Sequence, residues 1–96
     1  RKIVAFSGIG DNESFFQTLE NYRFNLIKKI SFPDHYHFNE NEIKTIVDDA
    51  VKDGYEIYTT AKDWVRIDHY YKDKIKQFPI NLEIKDKEKL IEAIFN

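Results

Sequence analysis

The 96 residues include no cysteine and no methionine, and only three glycines, two prolines and one tryptophan. Without cysteine neither a disulfide framework nor a thiolate zinc site can form, so the fold rests on its core, and a reducing compartment is compatible with the composition. An excess of basic charge is also missing. Fifteen Lys and Arg stand against 17 Asp and Glu, for a formal charge of -2. Nucleic-acid binders draw affinity from neutralised phosphates, so no nucleic acid is expected as a partner. No apolar run approaches the roughly 18 residues of a membrane-spanning helix, and no opening succession reads as a signal peptide. No repeat or Pro/Gly/Ser-rich linker divides the chain, which is therefore read as one unit, residues 1–96. The lack of Met, together with Arg1-Lys2 directly before the apolar run Ile3-Val4-Ala5-Phe6, suggests a piece of a longer polypeptide.

What is present is apolar and aromatic. Hydrophobic residues make up 42% of the chain, with eight Phe and six Tyr, enough for a packed core in a domain that should bury somewhat over about 60% of its unfolded surface. Ile3–Phe6 reads as a strand buried on both faces, stopped by Ser7-Gly8-Ile9-Gly10. Asp11 or Asn12 can cap a following helix that carries Phe15, Phe16, Leu19 and Tyr22 at helical spacing. Phe24–Phe32 suggests a second strand nearer the sheet edge, because Lys28-Lys29 interrupts it and Pro33 ends it.

The strongest local signal follows. Asn39 and Glu42 form a capping-box pattern, and Phe38 with Ile43 forms a hydrophobic staple. They predict a helix with the buried stripe Ile43, Ile46, Val47, Ala50 and Val51, closed by Gly54. Tyr55–Thr60 reads as a third strand, and Trp64 to about Lys76 as short helical or irregular structure. Phe78–Ile84 reads as a fourth strand, and Asp86 as the cap of a last helix bearing Leu90, Ile91, Ile94 and Phe95. The order βαβαβαβα predicts an α/β three-layer sandwich with a small, mainly parallel, Rossmann-like sheet.

In such sheets ligands gather beyond the carboxyl ends of the strands. That rule selects three polar segments: Ser7 to Asp11, Asp34-His35-Tyr36-His37, and Thr59 to Asp63 with Arg66 a turn later. Gly8 and Gly10 could bring backbone N–H groups to a phosphate, or could simply form a tight strand-to-helix turn. Asp34 beside His35 could orient an imidazole for general-base work, or sit in a solvated loop. In extended geometry His37 shares a face with His35, but a third metal ligand is hard to name, so no metal site is assigned. Thr60, Lys62, Asp63 and Arg66 could bind phosphate; their plain reading is a surface ion-pair cluster.

Three runs, taken in order, carry a family resemblance. Ala5-Phe6-Ser7-Gly8-Ile9-Gly10 with Phe15-Phe16 and Leu19 comes first, then Phe32-Pro33-Asp34-His35 with Phe38, then Thr59-Thr60 with Lys62-Asp63 and Val65-Arg66. Together they resemble the C-terminal portion of the tetraacyldisaccharide 4'-kinase family of lipid A biosynthesis. The chain departs from that pattern at Asp11-Asn12, where Asn-Pro is usual, and at Tyr36 and His37, where His-Pro is usual. Ala61 stands in place of Glu and Trp64 in place of Ala, so a charge partner for Lys62 would come from Asp63 or from outside the chain.

The resemblance implies a two-domain kinase whose N-terminal P-loop domain is absent from these residues. It would transfer the γ-phosphoryl group of ATP, with Mg²⁺, to the 4'-hydroxyl of tetraacyldisaccharide 1-phosphate. It further implies His35 as part of a catalytic dyad with a carboxylate of the N-terminal domain, with Asp34 orienting the imidazole or helping the metal-phosphate site. Gly8, Gly10, Thr60, Lys62, Asp63 and Arg66 would serve phosphate binding or the interdomain cleft, and ATP and Mg²⁺ would be held mainly by the absent domain. The implied partners are that domain, the lipid A disaccharide precursor and the inner-membrane surface. The implied place of action is the cytoplasmic face of the bacterial inner membrane, and the piece alone would be inactive. The competing class is a non-catalytic α/β nucleotide-binding or interaction module in which Asp34-His35 is only a loop.

Overall fold

A computed structural model describes residues 2–78. In chain order the elements are β1 (Lys2–Ser7), α1 (Asn12–Asn21), β2 (Asn25–Ser31), α2 (Glu40–Asp53), β3 (Glu56–Thr60), α3 (Ala61–Trp64), α4 (His69–Lys72) and β4 (Lys76–Phe78). Among the described residues the strands form one sheet in the order β2-β1-β3-β4, and every adjacent pair is parallel. The expected α/β fold with a small parallel sheet is therefore present, and β2 lies at an edge as its lysines suggested. The fourth strand begins two residues earlier than the expected start at Phe78. Its expected continuation to Ile84, and the final helix capped by Asp86, fall outside the described residues.

Strand alternation sorts the core into two layers. From β1, Ile3 and Ala5 face α1 and pack with Phe15, Phe16, Leu19, Tyr58 and Phe78. Val4 and Phe6 point the other way, toward Ile43, Ile46, Val47 and Ala50 of α2 and toward Ile67, Tyr71 and Ile75; Val51, expected in the buried stripe of α2, lies off that face and is exposed instead. Both faces of β1 are thus covered, as parallel sheets require, which explains an apolar run without alternation in its sequence. The edge strand β2 is only partly covered, Leu26 against the α1 layer and Ile30 against the α2 layer, and at its register shift opposite Ile3/Val4 Ile27 is 44% exposed.

The caps follow local chemistry. Asp11, not Asn12, is the N-cap of α1, accepting from the Ser14 N–H at 3.0 Å. Asn39 accepts from the Glu42 N–H at 2.9 Å while Glu42 accepts from the Asn39 N–H at 3.1 Å, so the capping box is complete. Gly54 ends α2 with φ 76, a left-handed conformation that glycine adopts without penalty. The Glu42 carboxylate also accepts from the Tyr36 hydroxyl at 2.8 Å. The Tyr36 ring stacks on Phe32 at 5.0 Å, and Phe38 meets Phe6 edge-on at 5.5 Å. The loop between β2 and α2 is therefore fastened at both ends by aromatic packing.

The hydrogen bond to Glu42, aided by partial burial and by the carboxylate's charge, raises the Tyr36 phenol above its ordinary ionisation range. A phenol whose folded-state value exceeds the unfolded one contributes stability that is present below the unfolded value and lost as pH rises through the folded one.

Two outcomes are expected. Asn39→Ala removes one cap acceptor and should lower the unfolding free energy by about 1 kcal/mol, read as a lower urea midpoint at unchanged slope. Glu42→Gln, which retains the capping-box geometry, should move Tyr36 ionisation down in an alkaline ultraviolet titration, with Tyr36→Phe identifying the affected transition.

Candidate functional site

Because all the strands run the same way, the carboxyl ends of β1, β2 and β3 open onto one edge of the sheet. Ser7 lies opposite Ser31 in the β1–β2 register. The three polar segments picked out in the sequence therefore converge, and a network of buried polar groups joins them.

Its centre is Asp63, which is 0% exposed. It is the third residue of α3, whose N-cap is Thr60. The Thr60 hydroxyl accepts from the Asp63 N–H at 3.0 Å and donates to Asp63 Oδ2 at 2.7 Å. In a capping box the third side chain would turn back to the N-cap amide. Here the same carboxylate oxygen instead accepts from the Gly8 N–H at 3.0 Å, across 55 positions of sequence. The other oxygen, Oδ1, pairs with Arg66 Nη2, which also donates to the Gly8 carbonyl at 3.2 Å. A buried carboxylate is tolerable only when paired and hydrogen-bonded, and both conditions are met.

Gly8 is buried beneath the loop that follows β2. A Cβ there would sit 3.0 Å from the Pro33 carbonyl oxygen and 3.4 Å from Tyr36 Cβ, so a side chain at this position would push the two loops apart by a few tenths of an ångström. The Gly8 carbonyl accepts from the His35 N–H at 3.2 Å, and the Ser7 carbonyl accepts from the Phe32 N–H at 2.8 Å. Asn12 completes the joint. Its Oδ1 accepts from the Ser7 hydroxyl at 2.6 Å and the Ile9 N–H at 3.0 Å, while Nδ2 donates to the Phe32 carbonyl at 2.9 Å.

His35 stands at the crest of this arrangement with φ 60, left-handed for a residue that bears a Cβ. That conformation costs on the order of 1 kcal/mol and persists where surrounding bonds hold it. Its side chain is 69% exposed, and Nε2 lies 3.6 Å from Asp34 Oδ2. The separation exceeds a hydrogen bond but lies within reach of an ion pair once the imidazole takes up a proton. The arrangement therefore presents an accessible imidazole with a carboxylate beside it.

The structure treats the remaining expected residues differently. Gly10 is exposed and lies close to Asp34. Lys62 is exposed on α3; Asp63 pairs with Arg66 rather than with it. The plain reading of Asp63 and Arg66 as a surface ion pair is corrected by the complete burial of the carboxylate. The N–H groups of Gly8 and Ile9 are both taken by protein acceptors. His35 and His37 do not share the face of an extended segment, because Asp34 and His35 form a turn closed by the Tyr36 N–H on the Pro33 carbonyl. Among the described residues no group of three His, Asp or Glu side chains could hold a metal ion.

Three contributions were missed in the sequence. The Thr60-x-x-Asp63 spacing is itself a capping signal that could have placed Thr60 as the N-cap of a short helix with Asp63 in its first turn. Asn12, read only as a candidate cap, is the staple between two loops. Nothing local indicates the Tyr36–Glu42 bond.

Comparison with known proteins places the chain in a family. The family described as Tetraacyldisaccharide-1-P 4'-kinase matches residues 1–96. A tetraacyldisaccharide 4'-kinase of Rickettsia typhi is 38% identical over 95 residues, 99% of this chain and 29% of that protein. One from Rhizobium rhizogenes is 48% identical over 67 residues, covering 70% of this chain and 19% of the relative. One from Pelagibacter ubique is 31% identical over 87 residues, covering 91% and 28%. The chain thus spans less than a third of the length of these relatives. No solved structure matches it. With the match running over the whole chain, and with the loops that carry the resemblance meeting at one edge of the sheet, the protein belongs to the tetraacyldisaccharide-1-phosphate 4'-kinase family.

Proposed function

We propose that these residues form the C-terminal part of a kinase that transfers the γ-phosphoryl group of ATP to the 4'-hydroxyl of tetraacyldisaccharide 1-phosphate, a step of lipid A biosynthesis. The observation that carries the reading is His35: exposed, held in a left-handed turn at the carboxyl edge of a parallel sheet, with Asp34 beside it. Phosphoryl transfer asks a protein to position reactants, neutralise charge and accept the proton of the attacking hydroxyl. In this reading neutral His35 takes that proton at its imidazole, and Asp34 stabilises the imidazolium that results. Lys62, exposed at the same edge, is available to oppose phosphate charge.

ATP and Mg²⁺ belong to the proposal as the source of the phosphoryl group and its counter-ion. The described residues do not fit a dedicated site for either. The turn N–H groups of Gly8 and Ile9 bind protein, and the carboxylate of Asp63 is enclosed. The reading therefore assigns both to an N-terminal P-loop domain, consistent with the small share of the relatives' length that this chain spans. Since the acceptor is a lipid of the bilayer, the reading puts the enzyme peripherally at the cytoplasmic face of the bacterial inner membrane.

In the full-length enzyme, His35→Ala should lower kcat by about 10²-fold or more with little change in KM for ATP. An unchanged kcat in steady-state phosphorylation of the lipid disaccharide would reject His35 as the base. The 96-residue chain by itself should give no ATP-dependent phosphorylation of the disaccharide, and transfer by it would refute an active site shared between two domains.

A further inference from the structure

Beside His35, at the same edge of the sheet, sits a carboxylate with no solvent exposure, turned wholly toward protein groups. Burial of a charge is costly, and a packed core has no need of one. Every group that compensates Asp63 lies at a strand end or just beyond it rather than in the core layers: Thr60 closes β3, Arg66 comes from the segment after it, and Gly8 from the turn after β1. Gly8 is the point through which this reaches His35. Its N–H is held by Asp63, and its carbonyl accepts both Arg66 Nη2 and the His35 N–H. One peptide segment, gripped on both sides by an ion pair, is thus the hook on which the left-handed His35 turn hangs.

We infer that Asp63, paired with Arg66 and acting through Gly8, is a positioning residue that sets where the His35 imidazole stands relative to the reacting hydroxyl. Neither Asp63 nor Gly8 touches substrate in this scheme. The inference rests on the reading of His35 as the base. It differs from a purely architectural role for the ion pair in one measurable way: once the imidazole is gone, its position no longer matters to the rate.

The test is a double-mutant cycle in the full-length enzyme, with ATP and tetraacyldisaccharide 1-phosphate as substrates. A displacement of the order of 1 Å in a reacting group can reduce rate by up to about 100-fold, so Asp63→Asn should lower kcat by roughly 10- to 100-fold while KM for ATP changes less than about 2-fold. In the His35→Ala background the same substitution should change kcat by less than about 2-fold. An equal loss in both backgrounds overturns the inference, because Asp63 then acts independently of His35. No loss in either background overturns it as well.

His35→Ala alone separates the two levels. If that variant keeps full kcat, the base reading itself has failed, whereas a large effect of His35→Ala with additive Asp63→Asn defeats only the positioning role. If Asp63→Asn does not fold, Gly8→Ala is run through the same cycle. It leaves the carboxylate in place and pushes against the Pro33 carbonyl that opens the His35 turn. Non-additivity with His35→Ala is again expected, and an additive loss overturns the inference.

Discussion

A carboxylate removed from water must be satisfied by the protein, and in this chain that requirement draws together parts of the sequence more than fifty residues apart. Asp63 takes N–H and O–H donors from Gly8 and Thr60 and a guanidinium from Arg66. Each donor lies at the end of a strand or in the turn after it, so meeting the carboxylate's needs closes the β1 and β3 ends into one unit. The segment after β2 joins through the Gly8 carbonyl and through Asn12. Hydrogen bonds to charged groups contribute about 1.5–3 kcal/mol, more than neutral ones, and removing one partner exposes the full desolvation penalty of the other. The arrangement is therefore stiff in the sense that no single member can leave at small cost.

The sheet beneath supplies the frame. Parallel pairing directs every strand end to one edge, and two hydrophobic layers hold that edge in place from either side. The two kinds of interaction divide the work. Apolar burial, which has no direction, secures the strands and helices, while directional polar bonds determine how the loops meet. Phe6 links the two, since it packs under Phe38 while its carbonyl accepts from the Thr59 hydroxyl at 2.8 Å. Chemistry proposed at His35 is thus carried on a loop whose position derives from rigid elements, as precise placement of a reacting group requires.

Much of the fold was readable because its signals are local. The apolar run of β1, the helical spacing of Phe15, Phe16 and Leu19, the Asn39–Glu42 box and Gly54 each depend on residues within about one turn of one another, and each appears where expected. The site was readable only as an inventory. Strand polarity announced which segments would meet, yet not which residues would face outward. Asp63 looked like an exposed charge because charged residues in a chain that is 33% charged are usually solvated. Its burial depends on Gly8, 55 positions away, and no short-range pattern reports that. Asn12 lay beside an equally good cap, and only the position of the Phe32 carbonyl made it a staple rather than a cap.

By itself, then, the sequence determined the α/β class, the order and approximate limits of the described elements, and the family to which the chain belongs. Periodicity, capping chemistry and motif order are properties of the chain read along its length. The strand order, the left-handed turn at His35 and the inward direction of Asp63 were decided by tertiary structure. These depend on which donors and acceptors meet after the sheet has assembled. The left-handed backbone of His35 is costly for any isolated peptide, and it is held where the Gly8 carbonyl receives its N–H.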